Sequence, residues 1–224
     1  SLAAAMVPAV AEATARSQPR ILGHRVGDAL RLTTVGSVPF IVLYLLFPHQ
    51  LTELLFANVQ AGEPLRILAA GALFSYLQQT STGILQGLGR TDLAMRNSLA
   101  GAAVALGGIY WLTALPAYGI RGAAVAVAVS GVIGCYLNFQ DIARETGLAL
   151  SGKPLAQSLG AGLVMAFVSY YLYLFCRARF GPSPAVTVAA AAGLVIYFLL
   201  ARLTRAISRR DLERLPWLGQ WLAW

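Results

Sequence analysis

Six apolar blocks, each about long enough to cross a bilayer, dominate the chain; they lie at about 32–56, 65–88, 98–115, 122–139, 155–175 and 184–203. A helix needs roughly 20 mostly apolar residues to span the hydrocarbon core. Backbone in lipid must also satisfy its own hydrogen bonds, so blocks of this kind fold as a bundle of membrane helices. They fill most of the 224 residues and leave no room for a separate soluble domain. Charged residues make up 12% of the chain, about half the share usual in a soluble domain, which agrees with lipid as the solvent. The expected fold is all-α, a polytopic integral membrane helical bundle. Residues 1–204 hold six complete spans and the end of a preceding helix, and 205–224 form a polar, amphipathic tail.

The formal charge of +8 would suggest nucleic acid in a soluble protein. Here the basic residues are scattered over membrane connectors, where they orient the chain instead, so nucleic acid is not an expected partner. Only Arg66, Arg121, Arg177 and Arg179 fall on one side of the alternating spans; every other Lys and Arg falls on the other side. Positive residues are retained in the cytoplasm, which places the first connector and the C-terminus there in a multi-pass cell-membrane protein. Within that connector, Arg16–Arg31 alternates apolar and charged residues and reads as a helix lying on the membrane surface. In the tail, Trp217, Trp221 and Trp224 beside Arg209, Arg210 and Arg214 suit the headgroup layer, either as a lipid anchor or as an ordinary terminus. The opening residues Ser1–Pro8 lack the basic start of a signal peptide and read as the tail of a helix that begins upstream.

Catalytic and metal signatures are missing from the sequence. Cys135 and Cys176 fit no redox or metal spacing and read as packing residues, and His24 and His49 have no ligand neighbours at helical spacing. No Walker loop is present, so the chain is not expected to use ATP or another cofactor itself. An enzyme is therefore not expected, whereas transport needs only a polar path and helices that repack around it.

The second block supplies the candidate path. Ser75, Gln79, Thr82 and Gln86 recur at steps of four, three and four and share one helical face, with Gln78 on its flank. Lipid is a costly neighbour for such a stripe, so it is expected to face the protein interior. Two uses are open: a cavity wall that hydrogen-bonds a sugar or pyrophosphate headgroup, or interhelical hydrogen bonding without a ligand. Pro39, preceded by Thr33, Thr34, Gly36 and Ser37, is a hinge candidate because proline removes a helix hydrogen bond. Gly122, Ala126, Ser130 and Gly134 form a small-residue face on the fourth span, and Gly101, Ala105 and Gly108 one on the third, suited to close helix packing. Arg90, Arg96 and Asn138 at the cytoplasmic side are gate candidates for a lipid-linked pyrophosphate, with ordinary positive-inside topology as the plainer reading; Asp92 and Asp141 lie near them. On the outer side Glu53 and Arg66 are placed to pair. No acidic residue lies deep in any block as bounded above, so a proton or sodium site is not expected in this chain.

Two strings carry a family resemblance: Gly83-Ile84-Leu85-Gln86-Gly87-Leu88-Gly89-Arg90, closing one span, and Tyr118-Gly119-Ile120-Arg121-Gly122-Ala123-Ala124, opening another. With Met6-Val7-Pro8-Ala9-Val10-Ala11-Glu12, they resemble the polysaccharide biosynthesis and stage V sporulation protein B group of lipid flippases. That group belongs to the multidrug/oligosaccharidyl-lipid/polysaccharide (MATE-like) exporter superfamily. The resemblance implies two pseudo-symmetric helical halves around a central cavity, of which this chain would be the C-terminal one. It further implies a lipid-linked sugar as substrate, membrane lipids as surroundings and an N-terminal half as partner. In relatives a lysine commonly follows the glycine of the third span and a proline the Gly-Arg turn; Ala105 and Asp92-Leu93-Ala94 stand in that region, so no role tied to such a lysine is carried over. A cation-coupled drug exporter of the same architecture and a non-transporting scaffold for cell-wall or spore-envelope assembly are the alternatives.

Overall fold

The computed structural model describes residues 7, 8, 10–12, 14, 19–115, 118–147 and 153–203, and all regular structure among them is helical. The helices are α1 (Pro19–Leu46), α2 (Pro48–Phe56), α3 (Gly62–Gly87), α4 (Thr91–Ala114), α5 (Gly119–Thr146), α6 (Lys153–Phe180) and α7 (Pro182–Leu203), with a 3-10 turn at Val59–Ala61 before α3. Four of them, α1, α5, α6 and α7, are both long and apolar enough to cross a membrane. The other two long helices, α3 and α4, correspond to the second and third expected spans and carry polar residues on the faces they turn to α5. The expected tail over 205–224 lies outside the described residues.

Two boundaries differ from the sequence reading, and a third agrees with it. The connector before the first span is not a separate surface helix; from Pro19 it runs unbroken into the span as one helix of 28 residues. Its charges are accommodated along the helix, where Asp28 and Arg31 pair at 3.3 Å one turn apart. The block at 32–56 divides where its sequence does, between a span to about Phe47 and a short apolar continuation over 51–56: Phe47 leaves helical geometry and Pro48 starts a new helix at the position where a missing N–H costs least. Lastly, α5 continues past Phe139 to Thr146, carrying Asp141 inside the helix.

The family-like string at the end of α3 has a local physical cause. Arg90 N–H bonds the Leu85 carbonyl at 2.9 Å and Gly89 N–H the Gln86 carbonyl at 3.0 Å, a Schellman ending with Gly89 left-handed at φ 77°. Gly87 lets the segment holding Val7 and Val10 lie against α3, since a Cβ there would sit 2.9 Å from the Val7 carbonyl oxygen.

In sequence α3, α4 and α5 follow one another, but in space α5 lies between the other two. It runs parallel to α3, with Gly71 meeting Ala128 and Gly131 meeting Ser75, and antiparallel to α4, with Gly122 meeting Leu112 and Gly108 meeting Ala126. The expected small-residue faces are thus the contact faces. In lipid, where burial of apolar surface does not drive association, such close approach supplies the packing. Helix α1 packs on α3 on one side and on the α6–α7 pair on the other. Its first turns join Ile84, Leu85, Ala94 and Ile142 in one apolar cluster, and its later turns join Met165, Tyr173, Val186 and Tyr197 in a second. Large apolar side chains also cover the outside, with Leu106 at 69% and Trp111 at 77% exposed on α4. A bundle apolar both inside and out is one whose surroundings are apolar.

Candidate functional site

The polar stripe of α3 is cut lengthwise by the edge of its contact with α5. Ser75 and Thr82 are half-buried and turned toward α5, while Gln79 and Gln86 are exposed. Within the chain, Ser75 and Thr82 thus take the interior position expected of the stripe, while Gln79 and Gln86 lie outside the contact with α5. The reason is angular: steps of four, three and four put Ser75 and Thr82 on one side of the shared arc and Gln79 and Gln86 on the other, and the contact covers only the first side. Thr82 donates back to the Gln78 carbonyl at 2.9 Å. Gln78 packs its amide against Gly134 and near Gly101, so it lies between α5 and α4. Among the described residues the amides of Gln79 and Gln86 make no side-chain hydrogen bond.

Beneath the stripe, at the end of the bundle that carries Arg31, Arg90, Arg96 and Arg144, lies a polar network built on three helices. Asn138 of α5 donates to Thr82 Oγ1 at 2.9 Å, Ser81 Oγ at 3.0 Å and the Gln78 carbonyl at 3.1 Å. Asn97 of α4 donates to Asn138 Oδ1 at 3.1 Å and to Asp141 Oδ2 at 2.7 Å. Asn97 and Asn138 are each 1% exposed and Asp141 5%, so the amides and the carboxylate hold one another where water does not reach. Arg96 reaches in from the surface and pairs with Asp141 at 3.0 Å. Arg90 pairs with Glu145 at 2.9 Å and with Asp92 at 3.5 Å.

The gate candidates Arg90, Arg96 and Asn138 are therefore gathered at one end of α3, α4 and α5. Arg90 and Arg96 each have a carboxylate partner, so an anion approaching either of them meets an ion pair rather than a bare guanidinium group. The expectation of no buried acid is overturned at Asp141, because α5 extends two turns beyond the expected boundary. Asn97 was not singled out from the sequence; its one signal is that it shares a helix face with Gly101, four residues on, toward α5. At the opposite end the pair that forms is Arg121–Glu63 at 2.5 Å, not Glu53–Arg66, since parallel packing of α3 and α5 brings their first turns together. Pro39 stands away from this network, buried in α1.

The comparisons with known proteins fit this arrangement. The MatE family model matches residues 1–111, a stretch that includes α1, the α3 stripe and the Gly83–Arg90 string. Over 222 residues, 98% of the chain, the sequence is 29% identical to stage V sporulation protein B of Bacillus subtilis (strain 168). The chain is an all-α membrane protein similar over its first half to the MatE family. It is also 25% identical, over 91% of its length, to the membrane protein YabM of the same organism. The chain spans about two fifths of those relatives, 42% and 39% of their lengths. No solved structure matches it significantly. The Asn97–Asn138–Asp141 network joins the last helix of the MatE-matched stretch to α5, which lies beyond it.

Proposed function

We propose that this MATE-like chain is the C-terminal half of a flippase that moves a polyprenyl-pyrophosphate-linked oligosaccharide or cell-wall precursor across the cell membrane by alternating access. The observation that carries the reading is the pair of exposed amides, Gln79 and, in the last turn of α3, Gln86, two turns apart on a bundle whose outward side chains are mostly apolar. Amides so placed are tolerated at membrane depth where they line a wet cavity or meet another polar surface. An N-terminal half facing this side of α3 would close such a cavity, and the amides would hydrogen-bond the sugar or pyrophosphate headgroup. Differential binding of that headgroup in two packings of the halves would shift the population between them. The arginine-rich end and the C-terminus lie in the cytoplasm on this reading, by the distribution of Lys and Arg. The partners are the lipid-linked sugar, the surrounding lipids and the N-terminal half.

The test is translocation of a fluorescent lipid-linked oligosaccharide in vesicles containing the full-length protein. Gln79→Leu with Gln86→Leu abolishes flipping and leaves the yield of folded protein unchanged; full activity in that variant removes the amides from the path. A cation-coupled exporter is the second reading, favoured by the buried carboxylate of Asp141. Drug efflux that collapses with the ion gradient and with Asp141→Asn selects it. Neither activity in the full-length protein selects the scaffold.

A further inference from the structure

Proline at position 39 of α1 has no N–H, so the carbonyl of Val35, four residues earlier, loses the partner that an unbroken helix would give it. Both residues are buried, Val35 at 3% exposure, and an unpaired carbonyl at such a place is costly. The missing donor comes from another helix: Tyr197 of α7 donates its phenol hydroxyl to the Val35 carbonyl oxygen at 3.0 Å. Tyr197 is itself fully buried, among the largest side chains with no exposure. On the same stretch of α1, Thr33 bonds Thr80 of α3 at 2.7 Å and donates back to the Ala29 carbonyl at 2.9 Å; Thr34 does the same to Leu30 at 2.8 Å. Back-bonding threonines loosen and bend helices, so residues 33–39 combine a weakened ladder with two interhelical grips, one to each side of the bundle.

We infer that Tyr197 is a positioning residue that sets the bend of α1 at Pro39, by supplying to the Val35 carbonyl the hydrogen bond that the proline withholds. Through it α7 controls the angle between the two parts of α1, and the α6–α7 pair is coupled to the α3–α5 unit that carries the exposed amides. The inference rests on the α1 geometry and does not depend on what is transported.

The experiment is a double-mutant cycle in the full-length protein reconstituted in lipid, read by electron–electron distance measurement between spin labels at Gly27 and Leu45, which lie on α1 on either side of Pro39. Tyr197→Phe keeps the ring and removes only the donor; the ratio of the two α1 populations, or the width of a single one, changes by about threefold, in keeping with the strength of one hydrogen bond between membrane helices. Pro39→Ala restores the N–H, so the backbone bonds Val35 by itself, and Tyr197→Phe then leaves the distribution unchanged. An equal effect of Tyr197→Phe with proline and with alanine at 39 overturns the inference, as does no effect in the Pro39 protein. Should Tyr197→Phe not fold, recovery of folded protein by adding Pro39→Ala supports the inference and failure to recover overturns it.

Discussion

Replacing Asn138 with leucine tests the buried network quantitatively. Leucine keeps the branched shape but is the larger residue, so in this fully buried site an overpacking cost of about 1–3 kcal/mol adds to the loss of the amide. Its NH₂ group serves three acceptors on α3, yet Ser81 and Thr82 keep their own bonds to the Gln78 carbonyl, so those hydroxyls are not orphaned. What is left unmatched is one N–H of Asn97, whose other bond, to Asp141, remains. Lost bonds between membrane helices cost about 0.6 kcal/mol each. An orphaned buried N–H costs about 1–3 kcal/mol. Asn138→Leu should therefore destabilise the protein by about 2–4 kcal/mol through the lost amide, with the overpacking of about 1–3 kcal/mol on top. Asn97→Leu should cost at least as much, because it strips the buried Asp141 carboxylate of its 2.7 Å donor. In the double variant the orphaned N–H no longer exists, so the cost falls short of the sum by about 1 kcal/mol or more. Reversible unfolding in mixed detergent micelles measures all four corners of the cycle. Strictly additive costs would show that the two amides do not act on each other, and would refute the network.

Other consequences are as specific. Gly71→Ala places a Cβ 2.5 Å from that of Ala128 and 2.7 Å from its Cα, so α3 and α5 must move apart; a loss of about 1–3 kcal/mol in the same unfolding assay is expected. Gly107→Ala meets nothing within 4 Å and sits inside α4, so it should be neutral or stabilising by up to about 1 kcal/mol. Removing the half-exposed Arg121–Glu63 pair by Glu63→Gln should change stability by less than about 1 kcal/mol, measured in low salt and again in high salt where the difference vanishes.

Hydropathy alone located the helices, because a membrane span must be a long apolar run whatever it packs against. It misplaced boundaries where charge and helix coexist: Arg25, Asp28 and Arg31 looked like a surface segment and are the first turns of α1, and the fourth span, bounded at Phe139 by hydropathy, runs on to Thr146. The periodicity of Ser75, Gln79, Thr82 and Gln86 revealed a common face, but where the neighbouring helix ends on that face depends on tertiary packing. Asn97 finds Asn138 across 41 residues and Tyr197 finds Val35 across 162, pairings that no local pattern encodes. A sequence does state that Pro39 frees the Val35 carbonyl; it does not say which helix answers it.

Whether the exposed amides of α3 face water within the membrane is open to direct chemical measurement. Gln79→Cys and Gln86→Cys, introduced singly into the full-length protein in vesicles, can be treated with a charged thiol reagent, against Leu99→Cys and Leu106→Cys on the exposed apolar face of α4. The native Cys135 and Cys176 are buried and contribute little background. A wet translocation path predicts fast labelling at positions 79 and 86, slowed by a lipid-linked oligosaccharide, and none at 99 and 106. Unreactive thiols at both stripe positions, or labelling no faster than at the α4 positions, would contradict it.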